Sequence, residues 1–349
     1  MRKPFAAVVC AAALAGCAGP RDTASEPYRV AATIPVGGSG HWDYLNFDPA
    51  GHRLYMSHNK HVEVVDTETR RHIGAIEVAG FSKGVAIVHD LDRGFVTVGT
   101  STLAPGPDAH EIDVFDLRSL RVLDRISTPA DPDGITYDPA SKRVIAFTGD
   151  THLAVVIDPA REQIVKTVEL PAAAGSSTSD GHGKLFITIA EKADVVVLDT
   201  TSFQITRRFP VGGCRMAVAV ALNAETNRLF VACRNRTLAV IDVRSGATVA
   251  HVPIARHNDA AAYDPATHTL FVSTLDGTLS IVRAEPGDRY SVVESLQTPQ
   301  GTRTLALDPG THRVYLSSAA FAPLPLGAMR YPDPVDGTFG ALVVEESHP

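Results

Sequence analysis

From residue 28 onward the apolar residues fall into short runs, alternating or continuous, bounded by Gly, Pro, Asp and Asn, which read as β-strands separated by turns. One unit recurs: a turn, a basic residue, then three to five apolar-rich positions, as GHRLYMS, LDRGFVTV, SKRVIAF, GKLFITI, TNRLFVA, THTLFVS and THRVYLS. Its anchor falls at Arg53, Arg93, Arg143, Lys184, Arg228, Thr269 and Arg313, spaced 40, 50, 41, 44, 41 and 44 residues apart. A period near 43 is that of a four-stranded propeller blade, so the spacing predicts an all-β, seven-bladed β-propeller.

In the third unit, residues 135–138 read as strand A, Arg143 opens strand B (RVIAFT), residues 153–158 are strand C and residues 163–170 strand D. Strand C ends in Asp66, Asp116, Asp158, Asp199 and Asp242, with Arg283 breaking the series in the sixth unit. A carboxylate just after a strand caps the turn by accepting a backbone N–H two residues on. The seventh unit has strands A, B and C (303–307, 313–317 and 341–344) but no D. The strand at residues 28–36 is expected to supply it, sealing the ring and leaving no free edge. A Pro-rich insertion at 319–340 interrupts the last blade, long enough to suggest a functional loop.

Composition narrows the function classes. The chain has 349 residues, 44% hydrophobic and 20% charged, enough for a full core. Lys+Arg 32 against Asp+Glu 39 gives −7, and −9 without Arg2 and Lys3, a poor surface for nucleic acid. Four cysteines make no disulfide framework. Arg2 and Lys3 precede the apolar run FAAVVCAAALAG and Cys17, a secretory signal pattern. Leu14-Ala15-Gly16-Cys17 resembles a bacterial lipobox, which implies a signal peptide over 1–16, a lipid on Cys17, a tether over 17–27 and a propeller over 28–349. The location that follows is the cell envelope, as an outer-membrane lipoprotein facing the periplasm. The alternative is an ordinary signal peptide and a soluble periplasmic protein.

The segments WDYL from Trp42, RLYMSH, PDGITYDP, RLFVACRN and RTLALDPGTHRVYL resemble the YncE-type family of YVTN-repeat propellers, across residues 28–346. The resemblance implies the fold and an envelope setting, and it implies no reaction. In that family histidine is frequent where Lys83 stands and glutamate where Gly175 stands, so this site is depleted by comparison.

The starts of the A strands should line the channel mouth. Ten residues before each anchor lie Asp43, Lys83, Asp133, Val218, Asp259 and Arg303, with Gly175 from the fourth blade, whose A–B turn is one residue shorter. Around the ring from blade six the charges alternate: Asp259, Arg303, Asp43, Lys83, Asp133. Two readings stand. They are a self-neutralising inter-blade ion-pair ring, or the floor of a pocket in which Lys83 and Arg303 bind an anionic or hydroxylated ligand, with Trp42 and His58 nearby. His41, His58 and His61 are expected around the mouth of blade one, and His110 above it. Arg234, Asn235, Glu191, Lys192, Asp150 and His152 are candidate rim contacts.

Asp43, Asp133 and Asp259 are the one candidate metal set, as acidic ligands are in propeller lactonases, although the intervening cations disfavour a divalent ion. No HExxH, G-x-S-x-G, P-loop or dinucleotide motif occurs, so no cofactor is called for and no catalytic residue is assigned. Cys214 and Cys233 bracket the A–B hairpin of blade five, and whether they pair is left open by simple hairpin register. The expectation is a monomeric binding scaffold that meets the membrane only through its lipid, with an envelope protein or a small anionic or polar ligand as partner. The alternative is a metal-dependent lactonase- or lyase-type enzyme with His58 as general base.

Overall fold

A computed structural model describes residues 27–101, 109–322 and 332–347. The signal segment and Cys17 lie outside the described residues, as do parts of the loop before His110 and of the 319–340 insertion. The described residues form seven four-stranded antiparallel sheets arranged as blades. In blade three the strands are Pro132–Asp138, Arg143–Thr148, Leu153–Asp158 and Gln163–Glu169, within a residue or two of the sequence expectation except that strand A starts earlier. The seventh sheet takes Leu305–Asp308, Arg313–Ser318 and Gly340–Glu346, and its outer strand is the N-terminal Tyr28–Pro35. That strand pairs antiparallel with Gly340–Glu346, from Tyr28 opposite Glu346 to Pro35 opposite Gly340. The ring is closed by hydrogen bonds between its two ends, as the strand pattern predicts.

The position of a strand in its blade explains its sequence. Strands B and C are covered on both faces by the neighbouring blades, so residues of either parity must be apolar. Arg143–Thr148 and Leu153–Asp158 are buried almost throughout. Blades diverge outward, so the D strand Gln163–Glu169 alternates exposed and half-buried positions. The core is accordingly divided: seven apolar clusters occur among the described residues, each straddling one blade boundary. Ile145 and Ala154 of blade three, for example, pack with Leu185, Ile187 and Val196 of blade four.

The repeat's polar residues have two tasks. The Asp closing strand C caps the following turn: Asp66, Asp116, Asp199 and Asp242 accept backbone N–H groups two to three residues on at 2.7–3.2 Å. The anchor residue sits opposite that Asp across strands B and C, as Arg53 opposite Asp66 and Arg228 opposite Asp242. Blade six departs at both positions together, since Thr269 lies opposite Arg283. The two irregularities of the sequence are therefore one compensated exchange, which avoids two facing guanidinium groups.

Candidate functional site

In blades one to six the A–B register shifts at the start of strand A. The breaks fall between Trp42 and Leu45, Ser82 and Val85, Pro132 and Ile135, Ala174 and Ser177, Ala217 and Ala219, and Asn258 and Ala261. The residues skipped by the ladder include Asp43, Lys83, Asp133, Gly175, Val218 and Asp259, the positions picked out by repeat register. A bulge frees its residue from the ladder and re-aims the side chain, here into the channel at Asp43, Asp133, Val218 and Asp259. Hydroxyls four residues after an anchor hold the start of strand A in the next blade: Ser57 donates to the Lys83 carbonyl and Ser273 to the Arg303 carbonyl. Thr97 donates to the Asp133 carbonyl at 2.5 Å while accepting the Gly84 N–H at 2.8 Å. Ser or Thr stands at this place in five of the seven units, at Ser57, Thr97, Thr188, Ser273 and Ser317, of which Ser57, Thr97 and Ser273 reach the next blade and Thr188 bonds Ser176 within its own. Sequence reasoning missed these residues although their spacing was legible.

The result is a cavity of about 460 Å³ at the channel mouth, lined by Asp43, Tyr44, Asp133, Arg234, Asp259 and Arg303 among others. The charges do not form an alternating ring. Arg303 stands 3.8 Å from Asp43 and donates to the Trp42 carbonyl at 2.5 Å, and Arg234 stands 3.9 Å from Asp259. Lys83 is buried and is absent from the cavity lining, its Nζ donating to both oxygens of Asp131 at 3.1 Å. Asp131 was not foreseen, because its reach depends on Gly99: a Cβ there would fall 1.9 Å from the Asp131 carboxylate. Asp133 has no ion pair within 4.0 Å among the described residues. At blade four a side chain in place of Gly175 would meet the Ala217 and Val218 carbonyls at 2.9 and 3.0 Å, so that position cannot carry a ligand-binding group without backbone movement.

Enclosure dominates the electrostatics. Burial first, then the nearby Asp133 carboxylate, pushes the Asp43 carboxyl up to about 7 despite Arg303. Burial also raises Asp133, against the pull of Lys83, and raises Asp259, against Arg303 and Arg234. The Tyr44 phenol is driven well above its ordinary value by burial and by the three carboxylates. The site therefore holds one carboxyl, Asp43, that exchanges its proton near neutrality, and it offers both donors and acceptors to a polar guest. No group of three or more His, Cys, Asp or Glu among the described residues is placed to hold a metal ion, the trio Asp43, Asp133 and Asp259 included.

Two residues expected at the mouth lie elsewhere. Trp42 is buried in the blade seven–blade one core, its ring centroid 5.4 Å from that of Phe339 and 5.5 Å from that of Phe321. His58 ends strand B beneath the insertion, stacked on Phe339 at 4.0 Å, with Nδ1 3.3 Å from Glu63. Both have parities that turn them into the wall between blades. His41 is also buried and stands 3.6 Å from Asp333, and burial lowers its pKa. His110 is exposed outside the cavity lining. Of the rim candidates Arg234 enters the cavity, whereas Asn235 is bound to the Arg215 N–H and the Gly213 carbonyl. Cys214 and Cys233 form a disulfide, with Cα atoms 5.4 Å apart. Hairpin register sets Cys233 opposite Ala217, and Cys214 reaches it because the preceding turn, closed by its N–H to the Val211 carbonyl, folds back.

Fold and site together define a seven-bladed β-propeller with a polar cavity at one mouth of its channel. Among solved structures the chain is similar to hydrazine synthase of Kuenenia stuttgartiensis, with a TM-score of 0.68 over 82% of this chain and 94% of that one, at 15% sequence identity. A likeness at that identity shows the fold alone. No family model matches the chain, and no curated protein matches it in sequence.

Proposed function

We propose that this propeller is a binding module of the bacterial cell envelope whose channel cavity holds a small polar ligand. The observation that carries the reading is the cavity itself: bulges release Asp43, Asp133 and Asp259 into it, and the Asp133 and Arg303 carbonyls are held by the hydroxyls of Thr97 and Ser273. That is preorganisation beyond what a solvated surface needs. The cations expected to recruit an anion are engaged, Lys83 by Asp131 and Arg303 by Asp43 and the Trp42 carbonyl. Asp133 is the carboxylate left without an ion pair among the described residues. The guest is therefore one that brings donors, hydroxyl groups or an ammonium, to Asp133.

The envelope setting rests on the lipobox-like Leu14-Ala15-Gly16-Cys17 and on the YncE-type resemblance. Tyr28 lies opposite Glu346 at the A–B turn end of blade seven, away from the cavity, so a tether from a lipidated Cys17 would join the propeller on the face opposite the mouth. A thermal-shift screen of hydroxylated and ammonium-bearing small molecules, followed by calorimetry, tests the binding reading. A hit should lose at least tenfold in affinity in Asp133→Asn. Affinity undiminished in both Asp133→Asn and Arg303→Gln would remove the channel from the proposal.

The near-neutral Asp43 favours a second reading, a lactonase- or lyase-type enzyme that uses a carboxyl able to exchange protons at the working pH. Elemental analysis of chelator-free protein separates the two. About one metal per chain, lost in Asp43→Ala, would favour the enzyme.

A further inference from the structure

A second cavity, about 400 Å³, opens between blades four and five on the face opposite the channel mouth. At this boundary the anchor does not bridge the two blades, as it does at three others. In blades one, two and five the anchor arginine crosses the gap to the C–D turn of the next blade. Arg53 donates to the Leu117 carbonyl, Arg93 stands 3.7 Å from Glu162, and Arg228 binds Asp288 at 2.6 and 2.9 Å. Blade four carries Lys184 at this position, on the A–B turn that is one residue shorter. Its ammonium has no hydrogen bond or ion pair among the described residues. The bond to the next C–D turn is made instead by Arg207 of strand D, which donates to the Val243 carbonyl at 2.7 Å and lies 4.5 Å over the Phe209 ring. The space that an anchor arginine would cross is left empty.

The lining of that space is two-sided. Its floor is apolar, built by Phe186, Val197, Phe209 and Leu222. Its rim carries Lys184, Arg207 and Arg244, all exposed. Asp180, the one carboxylate in the lining, accepts the backbone N–H groups of His182 and Lys184 at 2.8 and 2.9 Å, so one of its oxygens is committed to the turn. The volume lies within the roughly 300–1,000 Å³ range of small-molecule sites.

We propose that this cleft is a binding site for a small amphipathic anion, an alkyl chain or ring seated on Phe186 and Phe209 with a carboxylate or sulfonate held by Lys184 and Arg244. An apolar tail seated on the floor is removed from water, while the head meets Lys184 and the exposed Arg244, whose guanidinium stands 3.9 Å from Asp242. The site is independent of the channel and of the ligand proposed there.

Calorimetry tests this on the chain carrying Cys17→Ala, purified without detergent, with decanoate, decanol and decyltrimethylammonium each below its micellar concentration. Decanoate should bind once per chain, decanol at least tenfold more weakly, and the cation not measurably. Lys184→Gln and Arg244→Gln, both at exposed positions, should each weaken decanoate about threefold and together about tenfold, and Asp133→Asn should leave it unchanged. Equal affinity for decanol and decanoate, no binding of decanoate, or a decanoate affinity indifferent to the paired Gln substitutions would overturn the proposal.

Discussion

Asp43 is where opposing influences meet most sharply. Arg303 stands 3.8 Å away, yet burial and the Asp133 carboxylate lift its pKa to about 7, against about 3.9 in an unfolded chain. The native state then binds more protons than the unfolded state between these values. Stability falls as pH rises from about 4 to about 7, and the cost is fully present above that range. Asp43→Asn should therefore raise stability by about 2 kcal/mol at pH 8, allowing for solvent in the channel, and give no gain at pH 4. Thermal melts at the two pH values check this, and an equal shift at both would refute the electrostatic account. The turn carboxylates act in the opposite sense. Backbone N–H groups hold Asp66 and Asp242 below the usual range, so their contribution is present above the unfolded pKa and is lost as pH falls through the folded one.

At the scale of the element, the B–C hairpin sets a cation opposite a carboxylate, as Arg53 and Asp66, and blade six replaces both, with Thr269 opposite Arg283. Thr269→Arg alone places a guanidinium opposite Arg283 and should cost about 1 kcal/mol. In combination with Arg283→Asp the pair is restored, and a double-mutant cycle by chemical denaturation should return a favourable coupling near that size. The blade five hairpin carries a second constraint. The Cys214–Cys233 disulfide closes a loop of 19 residues in sequence separation, and reduction, or Cys214→Ser, should lower stability by on the order of 3 kcal/mol. Melting with and without reductant measures it, and the Cys214→Ser protein should be insensitive to reductant.

For the whole molecule, stability is a property of the ring, because each apolar cluster is shared by two blades and none belongs to one blade alone. The most exposed junction is the non-covalent one, where Tyr28–Pro35 completes blade seven. Ile34 is 1% exposed within the cluster shared by blades seven and one. Ile34→Asp should cost about 4 kcal/mol or more, by removing packing and burying a charge. It should also free the edge of Gly340–Glu346 for intermolecular pairing. A shift to larger species than the unsubstituted protein in size-exclusion chromatography, together with a lowered melting temperature, is the expected outcome. An unchanged elution volume and unchanged stability would show that the closure is dispensable.

The blade count, the strand order and the ring closure were legible in the chain, because period-2 patterning and a 43-residue period are local properties that a blade cannot form without. The channel register could be counted from the anchors, since the bulge recurs at one place in six blades. What each side chain does there was not legible. Lys83 turns to Asp131 because Gly99 leaves room, Trp42 and His58 enter the blade wall, and Cys214 reaches Cys233 through a folded-back turn. Lys184 is an ordinary variation in sequence and becomes a cleft only where the neighbouring blade fails to meet it. Strand pattern is set by burial along the chain itself, whereas partner, charge balance and cavity depend on what the next blade presents across a gap of a few ångströms.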